Sequence, residues 1–152
     1  MSALRQQAAR SFGPEQNIAR PIAVLLGAIY LGAGIIGFVV TGFSGFVSSG
    51  GAVLLFFHLN IFHNLVHIAI GALLLVASRI PDVNITHGIL FGVGILYVAA
   101  VLLGALNALP IIAVHGIGDP DNELHLVSAL TALGGGFLGA RQHDRAVASG
   151  LI

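Results

Sequence analysis

Five of the seven histidines, His58, His63, His67, His115 and His125, fall in two short stretches that also carry Asn60, Asn64, Asp119, Asp121, Asn122 and Glu123. Imidazole nitrogen and carboxylate oxygen are the donors that Zn²⁺ and Cu²⁺ accept, so metal binding is the first chemistry this pattern offers. On a helix, residues 63 and 67 lie about 40° apart and residue 64 falls within the same arc of roughly 100°. Asp121, Asn122 and His125 form a matching stripe. The best ligand set is His63, His67 and His125 with Asp121, or an outer-loop histidine, as the fourth donor.

A structural network accounts for the same residues without an ion. Asp119 can cap a helix that begins at Pro120, and Asn60 can cap another. Asn64 and Asn122 can bond neighbouring helices or loop carbonyls, and His63 and Asp121 can form a charge-assisted pair. The cluster of Asn60, His63, Asn64, His67, Asp119, Asp121, Asn122 and His125 is therefore read first as structural. No cofactor is expected on that reading, and Zn or Cu is the alternative. Equivalent histidines could also supply two axial ligands to a haem iron, but Asn64, Asn122 and Glu123 crowd the same turns with polar groups.

The elements that position these side chains follow from composition. The chain has 152 residues, 57% of them apolar and only 8% charged, with a mean hydropathy of +0.99. A soluble domain carries about 25% charged residues, so this chain cannot clothe itself for water and is read as an all-α membrane protein. Its zero formal charge argues against nucleic acid as a partner. The absence of Cys removes disulfides, thiolate metal sites and a cysteine nucleophile.

About 20 apolar residues cross a hydrocarbon core of about 30 Å, and four stretches meet that length, at about 22–41, 60–78, 87–106 and 121–140. Residues 1–20 and 141–152 are left as tails, the first with a weak interfacial-helix pattern in Leu4, Ala8 and Phe12. Arg5, Arg10 and Arg20 precede the first span, Arg79 follows the second, and Arg141 and Arg145 follow the fourth. The positive-inside rule places both termini in the cytoplasm. Both outer loops are apolar and uncharged, and are expected to lie on the membrane or fold back over the helix ends. Polar groups at membrane depth should face the bundle interior. Small residues four apart mark contact faces: Ala28 and Gly32, Ala33 and Gly37, Gly88 and Gly92, Ala132 and Gly136, Gly135 and Gly139.

The chain also repeats itself. Gly27, Tyr30 and Gly37 recur at the same intervals as Gly94, Tyr97 and Gly104, and Asn64-Leu65-Val66-His67 recurs as Asn122-Glu123-Leu124-His125. Two copies of a two-helix hairpin keep the same orientation, which predicts a pseudo-two-fold axis along the membrane normal. His67 and His125 then lie at equal depth, and His63 is equivalent to Asp121. Side chains lean toward the N-terminus of their own helix, so Tyr30 and Tyr97 are expected to point away from the histidines. No Gly-Lys-Ser/Thr phosphate loop or His-Glu-x-x-His helix is present, no span has an ionisable group near its midplane, and no enzyme activity is expected.

The run Asn60-Ile61-Phe62-His63-Asn64-Leu65-Val66-His67-Ile68-Ala69-Ile70-Gly71 and the later Asp121-Asn122-Glu123-Leu124-His125-Leu126-Val127 resemble a bacterial family of small four-helix membrane proteins classed as domain of unknown function 4383. Its pattern is Asn-Pro-Leu-His-Asn-Leu-Val-His with a downstream Asp-Asn-x-Leu-His, and the likeness covers about residues 20 to 140. This chain departs from it at Ile61, where the family has Pro, and at Glu123, where an aromatic residue is common. The resemblance implies a multi-pass protein of the bacterial inner membrane and carries no activity with it. The expected role is a non-enzymatic one, in which the cluster binds helices together and shapes a surface for a membrane partner or a second copy.

Overall fold

The computed structural model describes residues 16–152; the interfacial pattern at residues 4–12 lies outside them. Four helices, α1 (Ala19–Thr41), α2 (Ile61–Ala77), α3 (Val83–Ala105) and α4 (Pro120–Ala148), pack as two hairpins, α1 on α2 and α3 on α4. Prolines enter these helices only in the first turn, at Pro21 and Pro120, where a missing N–H costs nothing. Side chains take up the orphan N–H groups at three starts: Asn60 Oδ1 accepts from His63 N–H at 2.9 Å, Asp82 from Asn84 N–H at 3.0 Å, and Asp119 from Asp121 N–H at 3.0 Å.

Three of the helices, α1, α3 and α4, are long and apolar enough to cross a membrane, while α2 is a shorter apolar helix of 17 residues. Their outward faces carry Leu25, Ile29, Ile36, Val39, Ile95, Leu102, Leu130 and Leu138, all exposed. Such a surface suits contact with a lipid bilayer, and three helices of this length and composition point to a multi-pass protein. Inside, Ala19, Ala23, Tyr30, Leu74, Leu90, Tyr97, Ala129 and Ala132 form the shared core of both hairpins. Helix α4 continues well past Ala140 to Ala148, so most of the segment expected as a tail is helical. Arg141, Gln142, Arg145 and Ala146 are good helix formers, and a helix that leaves lipid has no need to stop there.

The long loops fold back over one end of the bundle. The α1–α2 loop contains an antiparallel ribbon, β1 (Ala52–Leu54) with β2 (Phe57–Leu59), pairing Ala52 with Leu59 and Val53 with His58. The α3–α4 loop contains a 3₁₀ turn at Pro110–Ile112. Asn60 Nδ2 donates to Ser48 O at 3.2 Å and to Ile111 O at 2.9 Å, and His115 Nε2 donates to Ser49 O at 2.6 Å, so each loop is latched to the other.

Close approach within the hairpins falls on a subset of the glycines. A Cβ at Gly27 would stand 2.9 Å from Leu75 Cγ, and one at Gly94 would stand 2.6 Å from Leu133 Cγ. Gly37 packs against the Asn64 side chain and Gly104 against that of Asn122. Gly135 faces Ile22 and Gly139 faces Ala19. The pair Gly88 and Gly92 marks no contact face, and neither does Gly32: a Cβ at each would meet nothing within 4 Å. Spacing alone does not reveal which way a pair faces, and these three face outward. A Cβ at Gly34 would sit 2.7 Å from the main-chain oxygen of Asn64, a neighbour that cannot swing away. Gly34→Ala should therefore cost about 1–3 kcal/mol, at about 2–4 °C in Tm per kcal/mol, while Gly88→Ala stays near the parent. Melting both in one detergent checks this.

Candidate metal centre

His63 and His67 project from the first two turns of α2, and His125 from the second turn of α4. Each of the three is buried, and one ring nitrogen from each lies within 4.8 Å of the other two. The His63 and His67 rings meet at 4.3 Å between centroids, and His63 and His125 at 6.1 Å. Four of their six ring nitrogens, both of His63, Nε2 of His67 and Nδ1 of His125, are buried with no hydrogen-bond partner in the protein. More than nine in ten buried polar groups are paired with protein or ordered water in folded proteins, so four orphans at one point mark a place for a water, an ion or another ligand.

The two tyrosines form the base of this triad. Tyr30 meets His67 at 5.0 Å between centroids, Tyr97 meets His125 at 5.2 Å, and the two phenol rings stack on each other at 5.1 Å with 22° between their planes. The expectation that they point away from the histidines is overturned. The lean of a helical side chain is smaller than the reach of a tyrosyl ring, and at a helix crossing reach decides the contact. Ser128 Oγ donates to Leu124 O at 2.8 Å and accepts from the Tyr30 hydroxyl. The Tyr97 hydroxyl is buried without a partner. By the repeat spacing, the residue equivalent to Ser128 in the first hairpin is Ile70, which offers it nothing.

The remaining polar residues divide by task. Asn60 and Asp119 cap helices, and Asp119 Oδ2 also accepts from His115 N–H at 2.7 Å. Asn64 Nδ2 donates to Thr41 Oγ1 at 3.0 Å, and Asn122 Nδ2 donates to Gly116 O at 2.5 Å. Asn60, Asp119 and Asn122 tie loops to helix ends, and Asn64 ties the end of α1 to the start of α2. His58 and His115 bond main-chain oxygens of Gly50 and Ser49, and Glu123 is exposed, so none of the three joins the triad.

Asp121 is buried with Oδ2 unpartnered, and it does not join the three histidines in one mutually close set of donor atoms. It borders a cavity shared with His67, Ala33, Leu54 and Phe57 on the ribbon side, whereas His63 borders another between α2 and α3. The expected His63–Asp121 pair is therefore absent, because the two side chains open onto different spaces. At the opposite end of the bundle His87 Nε2 donates to Asn17 Oδ1 at 3.2 Å, and Asn17 Nδ2 donates to Gly139 O at 2.8 Å. That pair fastens the start of α1 to α4.

The cavity beside the triad holds about 150 Å³ and has apolar walls, among them Val66, Ile70, Leu96, Ala100 and Ile112, and Tyr97 and the three histidines also line it. Zn–N bonds of about 2.0–2.1 Å place tetrahedral donors about 3.4 Å apart. Nitrogens within 4.8 Å of one another must close by up to about 1.4 Å to reach that separation.

Residues 20–138 match the family model described as Domain of unknown function (DUF4383), and the chain belongs to that family. No curated protein and no solved structure matches it.

Proposed function

We propose that this DUF4383 chain is a non-enzymatic, metal-binding protein of the bacterial inner membrane, holding one Zn²⁺ or Cu²⁺ ion on His63, His67 and His125. The observation that carries the reading is the set of four unpartnered imidazole nitrogens on three converging, buried rings. A purely structural network would pair those atoms, as it does both ends of the Asn60 amide. Three imidazoles leave a fourth position for a non-protein ligand. Asp121 is not part of the proposed set.

We read all four helices as membrane-spanning, α2 included, with both termini in the cytoplasm and the latched loops on the outer side. The arginine distribution supports this orientation. The hairpins are read as duplicated units about an approximate two-fold along the membrane normal. Contacts that recur in pairs support it: Tyr30 on His67 with Tyr97 on His125, Gly27 at Leu75 with Gly94 at Leu133, Gly37 at Asn64 with Gly104 at Asn122.

Protein purified without chelator should carry about one equivalent of Zn²⁺ or Cu²⁺ by elemental analysis, and the double variant His63→Ala/His125→Ala should carry none. A metal-free parent that takes up neither ion on titration would refute the reading.

A further inference from the structure

We propose that the ribbon formed by β1 and β2 is a re-entrant segment whose tip, Leu55 and Phe56, is immersed in the acyl chains of the outer leaflet. The proposal rests on the reading of α1 as a membrane span with the loops on the outer side, and not on the metal. Its first support is depth. Leu54, Leu55 and Phe57 line one cavity with Ala33 of α1 and with His67, Asp121 and Leu124, and β1 packs against α1. Ala33 stands eight residues before Thr41, the last residue of α1, which is about 12 Å along the helix. The ribbon therefore runs down beside α1 to a level well inside a hydrocarbon core of about 30 Å. Non-helical backbone is tolerated at that depth where it lies against protein.

The second support is the turn. With Leu54 paired to Phe57, the two turn residues are Leu55 and Phe56, and Leu55 has a φ of 60°. Gly, Asn or Asp is the usual residue at such a position. Here it is a leucine, 81% exposed, followed by a phenylalanine, 61% exposed, so two large apolar side chains are placed where the protein covers neither. Acyl chains are the cover selected by the surroundings. Ile29 and Ile36, one turn either side of Ala33 on the same face of α1, are exposed in the same way, and no Asp, Glu, Lys or Arg occurs between residues 42 and 59. So placed, the ribbon stands between the lipid and the buried His67 and Asp121.

The chain has no Trp, so a single introduced one reports its own surroundings. In the full chain in lipid nanodiscs, Phe56→Trp is expected to emit to the blue of a tryptophan amide in water. Acrylamide should quench it at least threefold less than that amide, and lipids brominated on the upper acyl chain should quench it strongly. Ile29→Trp, on the exposed face of α1, is the reference for a spanning helix. Leu55→Asn, whose side chain suits a positive φ in water, should melt several degrees below the parent in nanodiscs. Emission and acrylamide quenching of Phe56→Trp like the free amide, with Ile29→Trp quenched by brominated lipid, would overturn the proposal and leave the span reading standing. Shielding from acrylamide without quenching by brominated lipid would mean that protein, such as a second copy, covers the tip, and would also overturn it. A Leu55→Asn variant as stable as the parent would do the same. An Ile29→Trp reporter that no brominated lipid reaches would overturn the span reading and the proposal with it.

Discussion

With no ion present, His67→Leu should melt close to the parent, and with saturating Zn²⁺ it should melt far below it. In the ion-free chain the buried Nε2 of His67 has no partner, and an unsatisfied buried polar atom costs about 1–3 kcal/mol. Leucine removes that cost and surrenders edge contacts with Tyr30 and His63, each worth about 0.5–1.5 kcal/mol, so the balance is near zero. The ion changes the sign. Binding to the folded state alone stabilises the parent by about 4 kcal/mol at a thousandfold excess over Kd, or about 8–16 °C in Tm, and a variant with one ligand gone forfeits most of it. Scanning parent and variant with chelator and with Zn²⁺ gives four melting temperatures. A variant that loses several kcal/mol in chelator would mean that the histidine acts as a structural tie after all.

The second large effect lies at the other end of the molecule. Arg20→Ala should lower stability by about 3 kcal/mol or more, and Arg20→Lys should recover less than half of it. The guanidinium donates to Ser78 O at 3.1 Å, Ile80 O at 2.8 Å and Pro81 O at 2.9 Å, binding the start of α1 to the turn that joins α2 to α3. A hydrogen bond from a charged donor contributes about 1.5–3 kcal/mol; partial exposure of Arg20 trims that for each of the three. A lysine ammonium lacks the planar fork that spans three carbonyls from one position. Chemical denaturation of the three proteins in the same detergent measures the ranking, and an alanine variant within about 0.5 kcal/mol of the parent would overturn it.

Arg20 also shows where sequence reading stops. Its position before an apolar run supports a topology argument, because a cation near a helix end is legible from charge alone. Its three acceptors are main-chain oxygens some 60 residues away, and every residue has one, so no side-chain pattern announces them. The convergence of His67 and His125 was legible for the opposite reason. Two copies of Asn-x-x-His on helices of one orientation bring their histidines to one depth, and the cost of polar groups in lipid turns them inward.

Tyr30 and Tyr97 lay between these cases. Their equivalence was plain from the glycine spacing, but their contact with the imidazoles depends on how far a ring reaches at a helix crossing. The ribbon at Ala52–Leu59 was hidden because its apolar run, Ala52 to Phe57, lacks the alternation that marks a strand. The helix beyond Ala140 was hidden because hydropathy measures lipid, and those residues are helical by propensity.

The latch over the triad has a kinetic meaning. Asn60 holds Ile111, and His115 holds Ser49, so the plug above the imidazoles opens only when both cross-loop ties break together. On the metal reading, an ion on the triad would be caged by the rarity of that coincidence, whatever its equilibrium affinity. Release into a chelator bath should then run at a rate independent of chelator concentration, set by the breathing of the plug.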